Sequence, residues 1–127
     1  MSRAARSILV FGIYLIGLGC SLLLKPNTML ALFGQPQTTE PWLRVVGIVV
    51  LVVGLYYVCA AREDVAPLFR WTTWARPLAF VILIGLVAAG VAPRFVVILG
   101  AIDAAGALWT WLALRADRRT ARTGRPR

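Results

Sequence analysis

Four stretches of this chain are long, apolar and nearly free of charge, and nothing else in the sequence constrains the fold as tightly. They cover residues 7–24 (SILVFGIYLIGLGCSLLL), 41–61 (PWLRVVGIVVLVVGLYYVCAA), 77–92 (PLAFVILIGLVAAGVA) and 95–114 (FVVILGAIDAAGALWTWLAL). A helix crosses the hydrocarbon of a bilayer with roughly 20 apolar residues. The third run is short, but it extends back through TTWAR. Transmembrane strands alternate apolar with polar residues, whereas these runs are continuous. A soluble alternative fails on burial: with 60% of 127 residues hydrophobic and 15% charged, so small a domain could not hide its apolar side chains from water. The expected fold is all-α, an integral membrane four-helix bundle over residues 1–114, followed by a basic, disordered tail over residues 115–127.

Charge sets the expected orientation. Arg3 and Arg6 make a basic start that could belong to a signal peptide, and GLGCS faintly resembles a lipoprotein cleavage box. The apolar run nevertheless continues past Cys20, with Gly17 where such a box wants Leu, so it reads as a retained helix. With the amino terminus inside, that side holds Arg3, Arg6, Arg62, Arg70, Arg76, Arg115, Arg118, Arg119, Arg122, Arg125 and Arg127. The other side holds only Lys25, Arg44 and Arg94. Eleven against three places both termini in the cytoplasm of a bacterial cell. It also argues against the small channels and transporters that insert in both orientations, which need balanced charge. The tail RADRRTARTGRPR has no interleaved aromatic residue and follows a membrane helix directly, so it reads as lying on anionic headgroups rather than on nucleic acid.

Chemistry-bearing residues are few. The chain has no His, and Cys20 and Cys59 fall at opposite ends of the bundle, so no metal site, cofactor or disulfide is expected. No phosphate loop, nucleotide fingerprint or nucleophile–base pair is present. Trp42, Trp71, Trp74, Trp109 and Trp111 fall mostly near membrane ends, as aromatic belts do. A tandem repeat of two helical hairpins is also legible: VVGIVVLVVGLYYVCAAR (45–62) aligns without gaps on ILGAIDAAGALWTWLALR (98–115), matching Gly47 with Gly100 and Arg62 with Arg115.

The polar residues at membrane depth are the candidates for function, because a charge there is costly and usually faces the bundle interior. At about 1.5 Å per residue, Arg44 lies roughly 5 Å and Asp103 roughly 12 Å below the outer ends of their helices, which makes Arg44 the expected partner of Asp103. Glu40 stands one turn before Arg44, Tyr14 lies roughly 15 Å below the outer surface, and Ser21 is near it. Glu40, Arg44, Gly47, Leu51 and Gly54 share one helical stripe, and Asp103, Gly106, Ala107 and Thr110 share another. The expected binding set is Asp103, Arg44, Glu40, Tyr14, Ser21 and Thr110 in the outer half. The same residues admit a purely structural Arg–Asp pair pinning the second helix to the fourth. Thr39 or Glu40 is expected to cap the second helix, with Pro41 in its first turn.

The order FGQPQTTEPWLRVVG, GLYY, PLFRWTTWARP, ILGAIDAAGALWTWLALR resembles small bacterial four-helix membrane proteins of the BphX-like type, themselves loosely similar to the DoxX-like group. The resemblance covers about residues 8 to 115. It implies a four-helix integral membrane protein and carries no reaction. The leading expectation is a non-enzymatic protein that binds a lipid or small apolar molecule in an outer-half pocket, as an accessory subunit, with a membrane-protein partner or as a homo-oligomer. The alternative is a membrane enzyme, isomerase-like, with Asp103 or Glu40 as general acid–base. A proton-coupled transporter comes third, because the aligned half has Val50 where the other has Asp103.

Overall fold

Helix boundaries follow from local chemistry at each end. In the computed structural model, which describes residues 1–124, the elements are α1 (Arg3–Leu24), α2 (Pro26–Leu32), α3 (Trp42–Arg62), α4 (Ala66–Ala88) and α5 (Val96–Thr123), with no strand among the described residues. The four long helices are each long and apolar enough to cross a membrane. The chain is an all-α integral membrane protein built as a helical bundle. The short α2 lies in the connection between the first two spans.

Ser2 caps α1, its Oγ accepting the Ala5 amide at 3.0 Å. The third span begins at Ala66, eleven residues before the apolar run at 77–92, with Pro67 in the first turn where a proline forfeits no helical bond. Pro77 therefore lies inside α4 and leaves the Thr73 carbonyl without its usual amide donor. Gly90, in the left-handed region at φ 75°, follows the end of α4. Segment 115–123, read from sequence as disordered, continues α5 without a break. Ala and Arg are strong helix formers, and Gly124 closes the helix at φ 66°. The remainder of the basic tail, residues 125–127, lies outside the described residues. Pro41 occupies the N-cap position of α3 with no side-chain cap, so neither Thr39 nor Glu40 caps it.

α1 is the hub. It packs against α3 on one side and α5 on another, while α4 packs chiefly on α5. The α1–α3 contact is made by backbone. Gly12 and Gly19 recur at seven residues, as do Gly47 and Gly54, and the antiparallel helices set Gly19 against Gly47 and Gly12 against Gly54. A Cβ on Gly19 would stand 2.6 Å from the Leu51 nitrogen, and one on Gly47 would stand 2.8 Å from that of Leu23. Small residues of this kind let membrane helices gain van der Waals contact where no hydrophobic drive exists.

The best-buried apolar cluster sits at the end carrying the termini: Ala4, Ala5, Ile8, Ala60, Ala61, Phe69 and Ala113, flanked by Leu9, Tyr57, Leu68 and Leu114. Two carboxylates lock this end. Asp117 of α5 accepts the Arg3 and Ala4 amides at 3.2 and 3.1 Å, and Asp64 accepts the Ser2 amide and hydroxyl at 3.0 and 2.6 Å. Both satisfy donors that a helix start otherwise leaves open, and negative charge there suits the helix dipole.

Candidate functional site

The inward stripe of α5 was legible in the sequence, but it faces α1 and α4 rather than α3. Asp103 lies roughly 10 Å along α5 from Val96, and Arg76 lies roughly 15 Å along α4 from Ala66. The Arg76 Nε donates to Asp103 Oδ1 at 2.6 Å, the one salt bridge among the described residues. This corrects the expected Arg44–Asp103 pair and also removes Arg76 from the loop between the middle spans. Arg44 is exposed and turns the other way, its Nη1 donating to the Leu23 carbonyl near the end of α1. It closes the end of a helix whose last carbonyls lack internal partners.

The guanidinium is enclosed. Arg76 is 4% exposed, its Cζ sits 3.7 Å from the centre of the Phe11 ring, and its Nη2 occupies the space a Cβ on Gly106 would need. Gly106 therefore has a definite job: a side chain there would force the guanidinium to shift. The aromatic face answers part of the positive charge. Among the described residues hydrogen bonding does not answer the rest, since Nη1 and Nη2 are both buried and find no partner there. An arginine has five N–H donors; here only the Nε donor is used. On the acid, Oδ1 is taken while Oδ2 accepts no hydrogen bond, and the side chain is 34% exposed. Tyr14 and Tyr57 lie within electrostatic range of Asp103, and both rings pack near Phe11, Tyr14 at 5.3 Å and Tyr57 at 6.2 Å between centroids.

One turn beyond Gly106, toward the termini, Thr110 is fully buried. Its hydroxyl meets that of Ser7 at 2.9 Å and donates to the Gly106 carbonyl at 3.1 Å. Here a polar pair joins α1 to α5 with its hydrogen-bonding capacity met.

The sequence-derived set thus divides. Asp103, Tyr14 and Thr110 line the inner faces of one three-helix region, together with Arg76, Phe11 and Ser7, which sequence reasoning missed. The others belong elsewhere. Ser21 donates to the Gly17 carbonyl at 2.9 Å and borders an apolar cleft of about 290 Å³ between α1 and α2. Glu40 is exposed in the connection before α3 and borders a separate shallow cleft of about 370 Å³ with Trp42, Pro93 and Phe95. Glu40 and Asp103 therefore do not share a cavity, as a pair of acid–base carboxylates must.

The chain matches no protein-family model, no curated protein and no solved structure.

Proposed function

We propose that this is a non-enzymatic membrane protein of the BphX-like kind, and that its Arg76–Asp103 centre receives the polar group of a lipid or other small apolar molecule. The observation that carries the reading is Arg76, a buried guanidinium in the middle of a membrane helix whose terminal nitrogens find no acceptor among the described residues. Leaving a buried donor unmatched costs about 1–3 kcal/mol, and more when it is charged. No bulk water reaches that depth to repair the deficit. A carbonyl, carboxylate or phosphate oxygen between α1, α4 and α5 would meet it. Asp103 Oδ2 stands beside it to accept from a hydroxyl on the same molecule, whose apolar part would lie among the surrounding lipid. The bond from Arg76 Nε commits one oxygen of Asp103 to the guanidinium, an arrangement suited to holding a ligand.

Both termini are taken to face the cytoplasm. With Arg76 placed in the membrane the basic balance becomes ten against three, and the rule that reads it is unchanged. A partner membrane protein or a second copy is compatible with an accessory role.

Native mass spectrometry of gently extracted protein tests the reading. A discrete bound species is expected on the wild type. Arg76→Lys keeps the charge but loses the planar fork, and occupancy should fall about tenfold or more while the helical content is retained. Arg44→Ala, which leaves the centre intact, should keep the bound species. A wild type that carries nothing, or an Arg76→Lys protein that carries it undiminished, overturns the proposal.

A further inference from the structure

The overhang of α5 holds a second feature, independent of the Arg76 centre. At 28 residues this helix is about 42 Å long, against a hydrocarbon layer of about 30 Å. About 12 Å of it must emerge from the membrane, carrying Arg118, Arg119 and Arg122, with Arg115 at the base of the overhang. The clasp of Asp117 on the Arg3 and Ala4 amides fixes this overhang against the start of α1. A cleft of about 280 Å³ results, lined by Arg3, Leu112, Arg115, Ala116, Arg119 and Thr120.

The lining is chemically one-sided. Three guanidiniums converge there, and none of them makes an ion pair among the described residues. The nearest carboxylate on the helix, Asp117, has both oxygens engaged by α1 amides. Arg115 rests over the Trp111 ring at 4.7 Å, which sets its height at the interfacial level that Trp side chains prefer. Toward the membrane the surface becomes apolar at once: Leu112 and Leu108 on α5 and Val10 and Ile13 on α1 are all exposed. Charge at the rim and hydrocarbon directly below it match a molecule with a phosphate head and acyl tails. Free phosphate would use the rim alone.

We propose that this cleft is a binding site for the headgroup of an anionic phospholipid. Arg3, Arg115 and Arg119 hold the phosphate, and the acyl chains run down past Leu112. A helical overhang presents these groups in fixed register, so the site differs from a mobile basic tail, for which only total charge matters.

Two double variants of equal charge separate the two cases. Full-length protein in neutral detergent is titrated with phosphatidylglycerol and, separately, phosphatidylcholine, and bound lipid is read by native mass spectrometry. The wild type should prefer phosphatidylglycerol for its first bound lipid. Arg3→Ala with Arg119→Ala should weaken that preference roughly ten- to thirtyfold, as expected for two surface arginines. Arg118→Ala with Arg122→Ala removes the same charge outside the cleft and should leave the preference within about threefold. Equal loss in both double variants, or no loss in the first, overturns the proposal. So does displacement of the lipid by millimolar inorganic phosphate, which would assign the rim to the free anion. The species bound at Arg76 is read in the same spectra, and its presence or absence does not affect this result.

Discussion

The two hairpins of this molecule solve helix packing in opposite ways. In the first, α1 and α3 touch backbone to backbone through four glycines at matched seven-residue spacing. In the second, Gly100 of α5 meets side chains of α4, with Phe80 Cδ2 2.7 Å and Leu83 Cδ1 3.1 Å from where its Cβ would be. The internal alignment pairs Gly47 with Gly100, yet one glycine admits a neighbouring backbone and the other admits a phenyl ring. The first hairpin holds by close approach. The second is propped apart by large side chains, and the room this leaves is where Arg76 and Asp103 sit.

Breaking the ion pair is the largest expected disturbance. Asp103→Leu leaves Arg76 buried without the one hydrogen-bonded partner it has among the described residues, and should cost about 3–5 kcal/mol in unfolding free energy measured in one detergent. Replacing both members, Arg76→Met with Asp103→Leu, should recover most of that loss, because an apolar pair of similar volume has no charge to desolvate. The double variant should also lose any bound species at this centre. If stability does not return, the pair has a packing role that charge alone does not describe.

Glycine substitutions test the comparison directly. Gly19→Ala sets a methyl against the backbone of α3, which cannot step aside without parting the helices. It should cost about 1–3 kcal/mol, the usual range for overpacking. Gly100→Ala presses on the ring edge of Phe80, a side chain and not a backbone, and should cost less than Gly19→Ala, about 1 kcal/mol. Equal losses, read from thermal unfolding of both variants, would mean that the two hairpins are packed alike after all.

Much of the frame could be read in advance because bilayer thickness fixes helix length and hydrocarbon excludes unpaired backbone. Those rules act on composition, and they located all four spans. The site was harder. Asp103, Tyr14 and Thr110 stood out as polar residues at depth, but the partner of Asp103 was sought on the wrong helix. RWTTWAR carries the aromatic and basic mix of a membrane surface, so Arg76 read as part of a loop. One signal pointed the other way: a run of sixteen residues from Pro77 to Ala92 is short for a span, and no Gly, Asn, Asp or Ser interrupts the stretch from Ala66 to Ile84. Length thus required an earlier start, and an earlier start carries Arg76 into the membrane. Ala116, Ala121 and the arginines favour helix past Leu114, but the contact that holds this end is remote in sequence: Asp117 grips the start of α1, 113 positions away for Ala4.

The smallest expected effect isolates what the glycine contacts contribute. Gly17 on α1 and Gly85 on α4 have nothing within 4 Å of an added Cβ. Each lies on a helix whose other faces are engaged, so an alanine there changes the helix and leaves its contacts alone. Alanine removes backbone freedom from the unfolded chain and favours helix by up to about 1 kcal/mol. Gly17→Ala and Gly85→Ala should therefore stabilise slightly and by similar amounts, although one belongs to the zipped hairpin and the other to the propped one. Set beside the loss at Gly19, a gain at Gly17 on the same helix would show that the penalty arises from contact with α3 and owes nothing to glycine as such. A loss at Gly17 would mean that this open face of α1 is covered in the membrane, by a second chain or by a tightly held lipid.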